Sequence, residues 1–249
     1  MTRVAFVTGV ASGIGRAVAE RLRDDGVAVV GLDLRAEAPE GVDAIAGDVT
    51  DRVAVEAAIA HTVERHGRLD VVANVAGIPQ FGRVDDLDDD EWQRSLDVNL
   101  TGPFLVCRAA LAHLRATRGC IVNVASIAGL QGQAYTAAYC ASKGGLITLT
   151  RNVAAAVMNH RIRVNGLTIG HMNTPGEDRI MKTYHDAKPG WLEEAEKGRP
   201  FGRLLKTDEV ARAVAFLASD ESGMMTGSIV DFDQQVLGTG DSPWPPPAV

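Results

Sequence analysis

Short runs rich in valine, isoleucine and alanine alternate along the chain with longer stretches whose apolar positions recur every three or four residues. The first pattern suits strands and the second amphipathic helices, so the alternation predicts βαβ units around a mainly parallel sheet. Residues 3 to 8 read as a strand and 14 to 25 as a helix closed by Gly26, which tolerates positive φ. Strands follow at 27 to 33, 42 to 47 and 69 to 73, with Thr50 and Asp51 capping a helix that ends before Gly67. A helix over roughly 89 to 115, a strand at 120 to 125, an alanine-rich helix at 137 to 158 and a strand at 162 to 167 continue the series. Residues 170 to 203 are polar, with Gly and Pro throughout, and read either as a functional lid or as a poorly ordered segment. Thr207 and Asp208 then cap a last helix to about residue 219, before a strand at 228 to 232.

Composition narrows the class. At 249 residues, 46% hydrophobic and 23% charged, the chain is expected to form one α/β domain over residues 1 to 240, followed by a Pro-rich tail at 241 to 249. The tail, with Pro243 and Pro245 to Pro247 around Trp244, neither continues a helix nor joins a sheet. A net charge of -7 without a Lys/Arg block argues against a nucleic-acid partner. No segment approaches about 18 uninterrupted apolar residues, so no membrane span is expected. Cys107, Cys120 and Cys140 form no CxxC pattern and are odd in number, which fits a reducing cytoplasm. The six histidines show no metal-ligand spacing, and no metal is expected.

Chemistry enters at the first turn. Thr8-Gly9-Val10-Ala11-Ser12-Gly13-Ile14-Gly15 joins a strand to a helix, where glycines let the backbone approach a pyrophosphate and the helix N-terminus supplies N–H groups to it. Asp33 ends the second strand, 18 residues beyond Gly15, placed to accept hydrogen bonds from ribose hydroxyls. Its charge opposes a 2′-phosphate and Ser12 offers no cation, so NAD is favoured over NADP, with nearby Arg35 the one basic residue that weakens the argument. Tyr139 and Lys143 are four apart, on one face of a helix, so an ammonium can favour the phenolate and fit Tyr139 for proton transfer. Ser126 follows a strand at its carboxyl end, where ligands lie in open α/β sheets.

Together these residues resemble the short-chain dehydrogenase/reductase family, over essentially residues 3 to 235. The resemblance implies a Rossmann-type, doubly wound sheet of seven parallel strands in the order 3-2-1-4-5-6-7, flanked by helices. It assigns catalysis to Asn99, Ser126, Tyr139 and Lys143, with Asn99 holding a water that links Lys143 to solvent. It places Asp48 and Val49 at the adenine ring, Asn74, Val75, Ala76 and Gly77 in the turn after the fourth strand, and Gly170 and Thr174 at the nicotinamide. A homo-oligomer, at family level a tetramer, is implied through the helices at 89 to 115 and 137 to 158. Three departures stand out: Ile169 where the family has proline, Val75 where it has asparagine, and Gln234-Gln235 where it has two glycines.

The expected reaction interconverts a secondary alcohol and a ketone. Gln80, Gln131, Gln133, His171, Asn173 and His185 favour a hydroxyl-rich substrate such as a sugar, sugar acid or polyol. Trp191, Met172 and Met181 keep open a steroid or 3-oxoacyl ketone. A dinucleotide sensor without chemistry would have little need for Ser126, Tyr139 and Lys143 together, and a methyltransferase would not need the Tyr-Lys pair.

Overall fold

The computed structural model describes residues 2–184 and 186–237, so the tail at 241 to 249 and His185 lie outside the described residues. β1 (Val4–Thr8) is buried along its whole length and is an interior strand of the sheet. Ala5 and Val7 pack into one apolar cluster and Phe6 into another, as strand alternation requires when both faces are covered. α1 (Gly13–Asp24) and α8 (Thr207–Ala218) cover the first face. α2 (Arg52–His66), α4 (Gly102–Thr117) and α5 (Ala137–Val157) cover the second.

β2 (Ala28–Asp33), β3 (Asp43–Ala46), β4 (Val71–Asn74), β5 (Cys120–Ser126), β6 (Arg163–Ile169) and β7 (Ile229–Phe232) complete a seven-stranded sheet. Its order is β3-β2-β1-β4-β5-β6-β7, and every pairing is parallel. The expected single Rossmann-type domain is therefore observed. The order reverses between β1 and β4, so the loops at their carboxyl ends part there and leave a crevice.

Four local expectations need correction. The helix read over 89 to 115 is broken: α3 (Asp89–Leu96) passes through a π-helical turn, Asp97–Thr101, into α4. Gly102 N–H bonds Asp97 five residues back, and Pro103, which has no N–H to lose, sits in the first turn of α4. Residues 170 to 203 are not irregular but carry α6 (Pro175–Tyr184) and α7 (Trp191–Lys197), with Thr174 Oγ1 accepting Glu177 N–H at the start of α6. α8 is capped from inside: Glu209 accepts Lys206 N–H at 3.0 Å, while Thr207 and Asp208 lie in the first turn. A bidentate Arg203 pair holds the Glu209 carboxyl down to about 2. Asp51, not Thr50, caps α2 by accepting Val53 N–H.

Candidate active site

The ends of β1 and β2 build half of the site. Gly9 has φ +81°, a left-handed conformation that favours glycine. A Cβ on Gly15 would lie 2.1 Å from the Gly9 carbonyl oxygen, so the first turn of α1 rests directly on the glycine turn. Ser12 precedes α1 without a side-chain cap, leaving the first-turn N–H groups and the positive end of the helix for an anion. One Asp33 oxygen accepts Ala11 N–H at 3.0 Å and so fastens the turn to β2. Gly15→Ala is expected to destabilise the fold by about 2–3 kcal/mol, the upper range for overpacking, because a backbone carbonyl cannot rotate away. Calorimetry should show a fall in Tm; an unchanged midpoint would remove the contact from the account.

Thr8 Oγ1 accepts both Val75 N–H and Ala76 N–H at 3.0 Å, which ties the turn after β4 to β1. Beyond it, Asn99 clamps Ile78 by accepting its N–H and donating to its carbonyl, both at 2.9 Å. Asn99 Nδ2 also reaches Ser95 and Ser142, so the side chain is committed to protein partners. A Cβ on Gly77 would sit 3.0 Å from Asn99 Oδ1 and 3.3 Å from Lys143 Nζ, and only a bare Cα lets the loop approach this closely. Lys143 Nζ donates to the Val124 carbonyl at 3.1 Å and lies 5.8 Å from the centre of the Tyr139 ring.

Burial governs the protonation of this pair. It pushes the partly exposed Tyr139 phenol up from its ordinary value, against a hydrogen bond with Ser126 that pulls it down. It lowers Lys143, which is almost wholly enclosed, to about 8. The expectation that the neighbouring ammonium makes Tyr139 more acidic is thus outweighed here by desolvation of both groups.

Two adjoining cavities of about 650 Å³ each open beside these residues. One runs along the glycine turn, Asp33 and Asp48; the other is walled by Ser126, Tyr139 and Lys143. They meet at Ile14, Gly77 and Thr174, among others. A family model described as Enoyl-(Acyl carrier protein) reductase matches residues 9–234. Trans-4-hydroxycyclohexanecarboxylate dehydrogenase of Sinomonas cyclohexanicum is 36% identical over 248 residues, 93% of this chain and 91% of that protein. The chain is a short-chain dehydrogenase/reductase. Among solved structures, ligand-free aldohexose dehydrogenase of Thermoplasma acidophilum is similar at TM-score 0.92 and 31% identity, covering 98% of this chain and 97% of that one. Actinorhodin polyketide ketoreductase with NADPH is similar at 0.86 and 31%, covering 94% and 96%.

Membership makes the protein an oxidoreductase of CH–OH groups that uses a nicotinamide dinucleotide. On the short-chain dehydrogenase/reductase frame, Gly9, Ser12, Gly13, Ile14, Gly15, Asp33, Asp48, Val49, Ala76, Gly77 and Thr174 all line the first cavity. Ser126, Tyr139, Lys143 and Gly170 line the second. Asn74 lines neither: its side chain is buried and donates to Asn123 Oδ1 at 2.8 Å. Of the polar residues expected around substrate, Gln80, Gln133 and His171 line the second cavity, whereas Gln131 and Asn173 do not. Met172 and Met181 line it too, but Trp191 instead donates its indole N–H to Asp178, stapling α7 to α6. Glu177, Ile180 and Arg199 from the segment 170 to 203, and the stacked rings of Phe81 and Tyr135, were not foreseen as lining residues. Among the described residues no cluster of His, Cys, Asp or Glu is arranged to hold a metal.

Proposed function

We propose that the protein is an NAD-dependent dehydrogenase that interconverts a secondary alcohol and a ketone on a hydroxylated small molecule. The observation that carries the reading is the convergence of Ser126, Tyr139 and Lys143 on a cavity that opens onto the glycine-turn groove. The groove suits a dinucleotide: its floor is where a Gly15 side chain would collide, a helix N-terminus faces it, and Asp33 keeps one carboxylate oxygen beyond its bond to Ala11. Gly9 to Gly15 would hold the pyrophosphate, Asp33 the adenosine ribose, Asp48 and Val49 the adenine, and Gly170 and Thr174 the nicotinamide. When bound, the cofactor supplies the hydride acceptor or donor.

The chain's own residues handle the proton and the position. Ser126 and Tyr139 hold the reacting oxygen, and Tyr139 takes its proton in oxidation or returns one in reduction. Lys143 supplies positive charge behind the phenol, where charge develops. Since the Asn99 side chain is engaged with Ile78, its part in a proton path falls to its backbone. Residues 170 to 203 wall the cavity through α6 and Arg199 and in this reading act as a lid over the substrate.

NAD is preferred in this reading because Arg35 pairs with Glu37 at 3.4 Å and does not line the groove, so the Asp33 carboxylate opposes a 2′-phosphate without help from that neighbouring cation. Asp33→Asn, which keeps an acceptor for Ala11, is expected to cut the NAD-over-NADP ratio of kcat/KM by about tenfold, one charged hydrogen bond. Wild-type preference for NADP would overturn the assignment. The hydroxylated-substrate reading takes support from relatives named for a hydroxycyclohexanecarboxylate and an aldohexose. A panel of polyols, aldoses, hydroxy acids and sterols with NAD, followed by NADH absorbance, tests it; turnover of sterols alone would reverse it. Cytoplasmic residence and a homotetramer complete the proposal. Cys107, Cys120 and Cys140 are free thiols, Phe104 on α4 and Phe216 on α8 are exposed, and no helix among the described residues is long and apolar enough to cross a membrane.

A further inference from the structure

The folded lid sets three ionisable side chains in line on the wall of the second cavity. Arg199 donates to His171 Nδ1 at 2.9 Å, and His171 Nε2 lies 2.5 Å from Glu177 Oε1. An arginine keeps its protons at any working pH, so Nδ1 must be the acceptor nitrogen and Nε2 must carry the hydrogen. In this line Glu177 is occupied in accepting Nε2–H. Arg199 commits one guanidinium nitrogen to His171, and among the described residues no carboxylate forms an ion pair with it. Arg203, by contrast, is fully paired with Glu209.

All three residues line the cavity of Ser126 and Tyr139, and none of them lines the dinucleotide groove. The remaining charges of the cavity lie elsewhere. Lys143 donates to Val124 beneath the catalytic wall, and the Asp233 carboxylate packs over Gly170, where a Cβ would meet it at 2.0 Å. The guanidinium of Arg199 thus stands, held by His171, on the wall of the cavity that Tyr139 also lines.

We infer that Arg199 binds a carboxylate of the substrate, so that the alcohol oxidised at Tyr139 belongs to a hydroxy acid. His171 and Glu177 are positioning residues that aim the guanidinium. The inference rests on the proposed reading of Ser126 and Tyr139 as the reaction centre. A planar guanidinium matches a carboxylate with two parallel hydrogen bonds, and the partial enclosure of the cavity strengthens them. With the acid end fixed at Arg199, the hydroxyl end is oriented toward Ser126 and Tyr139.

The test compares 3-hydroxybutyrate, 4-hydroxycyclohexanecarboxylate and gluconate, each with its primary carboxamide, on the full chain with NAD. Wild type should prefer the best acid over its carboxamide by about 10- to 100-fold in kcat/KM, the range of a charge-assisted hydrogen bond. Arg199→Met should erase that preference, mainly through KM for the acid, with a smaller loss on the carboxamide, whose one oxygen also accepts from the guanidinium, and with NADH affinity unchanged. His171→Phe should raise KM for the acid alone, and His171→Gln, which keeps an acceptor, should restore part of it. Equal use of acid and carboxamide by wild type, or equal losses on both in Arg199→Met, overturns the inference. Binding of cyclohexanecarboxylate to the NADH complex, read by calorimetry, separates the two proposals. Binding by wild type and not by Arg199→Met without turnover of any alcohol leaves the anion site standing and removes the reaction reading. Turnover of neutral polyols without such binding does the reverse.

Discussion

Tyr139→Phe is expected to lower alcohol oxidation by about a thousandfold or more, within the upper range for loss of a general acid-base group, while NADH affinity changes by less than about twofold. The substitution removes one oxygen and nothing else. The ring that lies 5.8 Å from Lys143 Nζ remains, as does the helix that carries it, so the fold and the groove along Gly9 to Gly15 are untouched. Stopped-flow measurement of NADH formation, beside a fluorescence titration of NADH, separates the two effects. Retained turnover would reject Tyr139 as the proton carrier, and a parallel loss of NADH binding would show that the substitution disturbed structure instead. In wild type the pH dependence has a definite sign. Oxidation needs the phenolate, and burial raises the phenol, so oxidation should climb with pH on the alkaline side. Ketone reduction needs the protonated form and should fall as pH passes through the same ionisation.

That Ser126, Tyr139 and Lys143 share one cavity was legible before the fold because it depends on local spacing. Tyr139 and Lys143 need only a helix to share a face, and Ser126 needs only to end a buried strand. β1 was equally plain, since the apolar run Val4 to Val7 leaves little choice but an interior strand of a sheet covered on both faces. The π-helical turn at Asp97–Thr101 was not legible, because apolar periodicity barely distinguishes a four-residue from a five-residue hydrogen-bonded loop; Pro103 was its one visible sign. The lid helices were hidden by Gly176, Gly190 and Gly198, although Thr174 followed by Pro175 is a cap-and-first-turn signal that could have revealed α6.

Asn74 illustrates a different limit. Its register opposite Asn123 turns its amide into the core, and register is a property of the pair of strands rather than of either. The line from Arg199 through His171 to Glu177 joins residues 28 and 6 positions apart, and only the folding back of α6 and α7 brings them together. The protonation of Lys143 also escaped prediction, because burial, which sets it, is a tertiary quantity.

That burial gives the site a thermodynamic cost that one substitution can expose. Lys143→Met should abolish most activity, by about 100- to 1000-fold if the ammonium stabilises charge developing at Tyr139, and yet raise stability near neutral pH. Among the described residues the lysine has a single hydrogen-bond partner, the Val124 carbonyl, and its ammonium is otherwise enclosed, which favours the neutral amine and brings it to about 8 from the ordinary 10.5. The folded state therefore binds this proton less tightly than the unfolded chain does. Below pH 8 the lysine is charged in both states and the full penalty applies. Between 8 and 10.5 the unfolded chain holds more protons, so wild-type stability gains with rising pH, by an amount on the order of 3 kcal/mol for a shift of this size. Methionine has no such proton. The stability advantage of Lys143→Met should accordingly be greatest at pH 7 and shrink across that window, as read from denaturant midpoints at several pH values. A variant that is less stable than wild type at pH 7, or whose difference from wild type does not vary with pH, would show that the ammonium is better solvated than its surroundings imply. Loss of activity together with gain of stability would locate the cost of catalysis in the burial of this one charge.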